Sequence, residues 1–175
     1  MTRKALCLFA LVAALFLTGC QKQTPPPLTE AEQAAIRAEV TAAAKTLLAA
    51  AEALDLEAVE RLSHDGPDFL FVMPDGRVLT FAEMKKVGGE IFASLSGQKM
   101  ITQKERVIVL APEAALYVWQ GRNDLVQKDG VVMTADPYGA TYLFRKIGGA
   151  WKFAYAHESA LPYQPVKTEE VAPRK

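Results

Sequence analysis

The sequence predicts an α+β domain with three helices first, then four long strands folded as an antiparallel meander. Three observations carry this. Two segments open on capping boxes, Thr29-Glu30-Ala31-Glu32 and Thr80-Phe81-Ala82-Glu83, in which a threonine and a glutamate three residues on accept each other's backbone N–H at a helix start. From Gln98 onward the apolar period shortens from that of helices to that of strands. Every junction among the later strands carries a hairpin signal, at Pro112-Glu113, Asp129-Gly130 and Gly148-Gly149.

The chain opens with Arg3 and Lys4, an apolar run from Ala5 to Leu17, and Leu17-Thr18-Gly19-Cys20. A run this short is an export signal rather than a permanent membrane span. Leu17 to Cys20 resembles the lipobox of bacterial lipoproteins, which implies cleavage before Cys20, lipidation of Cys20 and membrane attachment of the rest. Three acyl chains, at about 0.8 kcal/mol per buried CH₂, anchor far more firmly than one. Gln21 stands where inner-membrane retention signals resemble Asp, so the similarity implies the periplasmic face of the outer membrane. The division expected is a signal peptide over 1–19, lipidated Cys20 with a flexible proline-rich tether over 20–28, a domain over 29–163 and a disordered charged tail over 164–175.

Within the domain, Ile36, Val40, Ala43, Leu47, Ala51 and Leu54 recur at helical spacing, which makes the first helix long and amphipathic. Asp55 caps a short second helix carrying Leu56, Val59 and Leu62, and His64-Asp65-Gly66-Pro67 ends it. Phe69 to Met73 reads as a short strand, turned by Pro74-Asp75-Gly76 into a return at Arg77 to Leu79. The third helix places Met84, Val87, Ile91 and Leu95 on one stripe, and Gly88-Gly89 weakens it by about 1 kcal/mol per glycine.

The strands fall near Ile101 to Leu110, Ala115 to Gln127, Val131 to Lys146 and Trp151 to Ser159. A two-residue Gly148-Gly149 loop sets Phe144 opposite Phe153, Tyr142 opposite Tyr155 and Lys146 beside Trp151. That aromatic face looks inward, and His157 and Ser159 share its parity. The outward face then carries Arg145 opposite Lys152, with Thr141, Leu143, Ala154 and Ala156. Extending the Asp129-Gly130 register puts Tyr117 opposite Tyr142 and brings Trp119 to the same face. A bulge at Asp136-Pro137-Tyr138-Gly139 would turn both outward.

At 175 residues, half of them hydrophobic, the chain suits one domain. Basic and acidic residues cancel, and loss of Arg3 and Lys4 with the leader leaves a slight negative balance, so nucleic acid is excluded as a partner. With His64 and His157 the only histidines, and Cys7 and Cys20 the only cysteines, no metal site assembles and no cofactor is expected.

The order of elements, the Asp68 to Gly76 turn (D-F-L-F-V-M-P-D-G) and the closing Trp151 to Ser159 strand resemble the SnoaL-like branch of the nuclear-transport-factor-two-like superfamily, over about Thr29 to Leu161. The resemblance implies a cone, in which a curved antiparallel sheet wraps a long N-terminal helix and leaves a pocket at the open end. Members include ketosteroid isomerase, scytalone dehydratase and polyketide cyclases, so the fold selects no reaction. The isomerase's base lies just before the proline of the short strand's turn, where this chain has Met73. Its oxyanion tyrosine lies on the first helix, and Thr29 to Leu54 has no tyrosine.

His157 is the candidate acid/base, because an imidazole on an apolar face exchanges protons near neutral pH. Tyr117, Trp119, Tyr142, Tyr155 and His157 are the candidate ligand-binding residues, with apolar faces and polar tips. As core residues the aromatics need no ligand, and a lone histidine is commonly satisfied by backbone. Asp75 suits a solvated turn. Glu158 has the opposite parity to His157, which makes a His157–Glu158 dyad geometrically poor. Three functions follow. The first is a non-enzymatic, lipid-anchored periplasmic module that takes a small apolar ligand or a partner protein. The second is a lyase or isomerase acting on a small cyclic or ketonic substrate through His157. The third is a homodimer formed through the sheet.

Overall fold

The computed structural model describes residues 26–166, so the leader, Cys20, most of the tether and the tail from 167 lie outside the described residues. Helix α1 spans Glu30–Glu52, and its Thr29/Glu32 capping box forms as expected. Its buried stripe is Ile36, Val40, Ala44, Leu47 and Ala50. Leu28 packs on the core, and its carbonyl accepts the Gln33 amide at 3.1 Å, so the domain begins one residue inside the expected tether.

Asp55 caps α2, Leu56–Leu62. Strands β1, Leu70–Val72, and β2, Val78–Leu79, form the short hairpin, and α3, Phe81–Ser94, opens on the Thr80/Glu83 box. Helix α3 runs unbroken through Gly88 and Gly89. A Cβ there would meet the Leu56 methyls at 3.3 and 3.4 Å, so the two glycines let α2 approach α3 closely. Leu95 begins the next strand rather than ending the helix.

Four long strands follow, β3 at Leu95–Ala111, β4 at Ala114–Gln127, β5 at Val132–Ile147 and β6 at Ala150–Ala160, with a short β7 at Gln164–Pro165. The seven-stranded sheet is ordered β2-β1-β6-β5-β4-β3, and β7 pairs β5. The meander is antiparallel as expected, but the sheet is mixed, because β1 joins β6 in parallel. β7 draws Gln164 and Pro165, expected in the tail, into the ordered domain.

Two irregularities decide which side chains face α1. Next to the β4–β5 turn, Gln127 and Val131 are the closing pair, so the loop has one more residue than a two-residue hairpin. The bulge at Asp136-Pro137, whose peptide is cis, shifts the register back, and Tyr117 stands opposite Tyr142 as the unslipped register predicts. The second irregularity is in β6. Phe144 pairs Phe153, but then Leu143 pairs Tyr155, so Ala154 is an extra residue. Beyond it every β6 side chain changes face. Ala154 and Ala156, expected outward, are buried. Tyr155, His157 and Ser159, expected inward, pair Leu143, Thr141 and Gly139 on the outer face, and Glu158 pairs Ala140 on the inner one.

The core lies between α1 and the inner face, where Phe69, Phe144 and Phe153 pack edge to face or tilted, with centroids 5.4 to 6.4 Å apart. The like-charged Arg145 and Lys152 are each answered separately: Arg145 meets Asp68 at 2.5 Å, and the Lys152 ammonium donates to the Arg61 carbonyl.

Candidate functional site

At the end of the inner face away from the Gly148-Gly149 turn, the sheet, α1, α2 and α3 enclose a cavity of about 250 Å³. Its walls are mostly apolar: Leu47 and Leu48 from α1, Leu56 and Val59 from α2, Val87 and Ile91 from α3, and Leu125 from the sheet. Three thioethers, Met73, Met84 and Met100, also line it.

One wall is polar. Glu158 enters the cavity from β6 and accepts hydrogen bonds from two β5 phenols, Tyr142 to Oε1 at 2.8 Å and Tyr138 to Oε2. Alternation puts both tyrosines on one face, and the Ala154 bulge brings Glu158 to that face beside them. Burial pushes the Glu158 carboxyl above its ordinary value of 4.5, against the pull of the two phenols. Burial also raises both tyrosines well above 10.0, with the neighbouring carboxylate adding to it, so they remain donors. Beside them Gln98 Nε2 donates to Asn123 Oδ1 at 3.3 Å, and Asn123 Nδ2 donates to the Tyr163 hydroxyl at 2.7 Å.

The expected site residues divide three ways. Tyr142 lines the cavity. Tyr117 and Trp119 face inward but are core residues, 0% and 1% exposed. Tyr117 donates to Glu105 at 2.5 Å, Trp119 donates to Thr102 at 2.8 Å, and neither borders the cavity. Tyr155 and His157 lie across the sheet from it. His157 is exposed in a shallow groove with Ser159, Thr141 and Leu161, so the inner-face placement that recommended it as acid/base is corrected. Asp75 serves its turn, accepting the Arg77 backbone N–H at 3.0 Å and Nε at 2.7 Å.

Sequence reasoning passed over Glu158, Tyr138, Asn123 and Tyr163. A signal did exist. Glu158 is a lone acid between Ala156 and Ala160, at the end of a strand that otherwise carries apolar and aromatic residues, and a carboxylate buried there needs donors that tyrosines can supply.

Residues 40–164 match the model of the SnoaL-like domain, and the chain belongs to that family. No curated protein matches the sequence. Among solved structures the chain is similar to a proposed dehydratase of the NTF2-like family from Streptomyces avermitilis, with 20% identity over 74% of this chain and 98% of that one and a TM-score of 0.66. A type 2 hexachlorocyclohexane dehydrochlorinase is similar at 10% identity, 83% and 98% coverage and a TM-score of 0.68. The association domain of C. elegans CaMKII is similar at 17% identity, 75% and 99% coverage and a TM-score of 0.58. At these identities the likeness is one of fold.

Proposed function

We propose that this SnoaL-like chain binds a small apolar molecule in the cavity and acts on it as a lyase or isomerase, with Glu158 taking a proton from carbon. The observation that carries the proposal is a buried carboxylate held by two phenols in the wall of a mostly apolar cavity. Burial makes Glu158 a stronger base than a carboxylate in water. Each of its oxygens accepts one phenol and keeps a lone pair for an incoming proton. When a C–H bond breaks, the proton passes to Glu158. The electron pair then forms a double bond as a leaving group departs, or moves onto a neighbouring oxygen until the proton returns to another carbon.

Met73 at the position of the isomerase's base favoured a non-catalytic binding module. Glu158 answers that objection by supplying a base from a different strand. Two structural neighbours bear names of elimination enzymes, which supports the choice of reaction class. The Leu17 to Cys20 motif supports a lipid anchor at Cys20 and a place on the periplasmic face of the outer membrane.

The test is exchange of α-hydrogens into deuterium oxide, followed by NMR on a panel of small cyclic ketones. Glu158→Gln should slow exchange by roughly 10²- to 10⁴-fold with the fold intact, while His157→Ala should leave it unchanged. Ligand binding without exchange or elimination would return the chain to the class of binding modules.

The outer sheet face supports self-association as a second reading. Leu70, Tyr155, Leu143, Leu116 and Ile108 are cross-strand neighbours in one row, and Leu70 and Ile108 are 39% and 42% exposed. The like-charged Arg145 and Lys152 on this face are each engaged by a separate partner, which lessens their repulsion. A monomer in sedimentation at micromolar concentration would overturn this reading.

A further inference from the structure

We infer that the cavity is also a site for lipophilic amines: an ammonium group on a small apolar body pairs with ionised Glu158, whose charge no cation among the described residues answers. The inference goes beyond the proposed reaction, sharing its cavity and its carboxylate but not its proton transfer.

The contrast with other carboxylates of the protein carries the argument. Nearer the surface, Glu39 meets Lys146 at 2.8 Å, Asp124 meets Arg122 at 2.9 Å and Glu105 meets Lys45 at 3.2 Å. Such pairs need little help, since water already screens them. Glu158, in the cavity wall, has two neutral phenols instead. Phenols satisfy its oxygens but leave its net charge, and a charge in an apolar wall is costly until an opposite one comes close. Among the described residues no lysine, arginine or histidine lines the cavity, and Glu158 is its only carboxylate. An entering cation therefore meets one negative partner and no like charge.

The backbone adds charge of the same sign. Leu47, Leu48 and Ala51 near the C-terminus of α1, and Ile91 and Phe92 near that of α3, all line the cavity. The last carbonyls of a helix carry partial negative charge, and neither helix has a basic residue in its last turn to offset it. Lys99, an exposed lysine beside the end of α1, is turned to Glu52 at 3.5 Å. The start of α2, which brings the opposite sign, is capped by Asp55. Phe71, Phe92 and Phe153 give an ammonium aromatic neighbours and its carbon body an apolar wall. Each Glu158 oxygen keeps a lone pair beside its phenol, so an ammonium N–H is accepted without displacing either tyrosine. A second positive charge would find no partner, which limits the class to monocations.

The full chain and its Glu158→Gln variant are titrated calorimetrically near neutral pH with 2-aminoindane, a monocation, and with 2-indanol, a neutral molecule of the same outline. The wild-type chain should prefer the amine roughly tenfold or more, the scale of one hydrogen bond to a charged group. Glu158→Gln should abolish that preference while its affinity for 2-indanol stays within about twofold. Glu90→Gln, which removes an exposed carboxylate of α3, should keep the preference. A wild-type chain that does not favour the amine, a Glu158→Gln variant that still does, or a preference lost equally in Glu90→Gln overturns the inference. Deuterium exchange into a cyclic ketone separates the two readings. A Glu158-dependent amine preference without exchange sinks Glu158 as base and leaves the amine site standing, whereas exchange with no amine preference does the reverse.

Discussion

The two halves of the β5–β6 hairpin share one ladder and put it to opposite uses. Near the Gly148-Gly149 turn, Phe144 faces Phe153 and the pair joins Phe69 in a dry aromatic core. Beyond the extra residue Ala154, the inner positions are Ala156 and Glu158, and the β5 tyrosines on either side of Glu158's partner Ala140, Tyr138 and Tyr142, carry hydroxyls instead of bare rings. The first half holds the cone together. The second keeps a polar group buried, which costs stability unless that group is fully hydrogen-bonded. A single inserted residue separates the half that packs from the half suited to chemistry.

Deleting Ala154 should break this division most severely. It would turn Glu158 out and His157 in, and we expect a loss of about 5 kcal/mol or more, on the scale of a whole domain's margin. A variant whose melting temperature falls by only a few degrees would show that the bulge does not set the strand's phase. Phe153→Ala comes next, at about 3–5 kcal/mol in denaturant unfolding, since it removes a ring 2% exposed from the turn half. A cost under about 1 kcal/mol would mean that the core is not centred there.

The distal half should show itself in pH dependence. Glu158 is raised in the folded state, so the folded chain holds its proton more tightly than the unfolded one. Its contribution to stability is fully present below the ordinary value of 4.5 and is lost as pH rises through the raised one. Carboxylates lowered by their hydrogen bonds, such as Glu32, Glu83 and Asp75, act in the opposite direction, losing stability as pH falls below their ordinary values. Unfolding of wild type and Glu158→Gln across pH isolates the Glu158 part. The difference should favour the glutamine variant increasingly as pH rises, and a flat difference would contradict a buried, destabilised carboxylate. The smallest effect expected is that of His157→Ala, within about 0.5 kcal/mol in the same unfolding measurement, because the side chain is exposed on the far face.

What was legible in the sequence was local chemistry. Both capping boxes, the Pro74-Asp75-Gly76 turn and the Phe144–Phe153 pairing rest on residues a few positions apart, and all form. The parallel joining of β1 to β6 was not legible, because two short stretches some eighty residues apart carry no mark of each other. Proline and glycine flagged the Asp136-Pro137 bulge, but the longer β4–β5 turn that offsets it bore no such flag. At Ala154 the sequence is silent, since alanine sits as readily in a bulge as in a ladder. An error of one residue there exchanged Glu158 for His157, so the site was misplaced although the strand was right.

Met73, Met84 and Met100 give the cavity walls that yield. An unbranched thioether rotates about three bonds and accommodates edges that a leucine would refuse. Such a chamber is indifferent to outline and exacting about polarity. A series of congeners should enter with similar ease, and size alone would rank them poorly. Whatever molecule this protein meets will be distinguished by where its few polar atoms fall against the Glu158 wall.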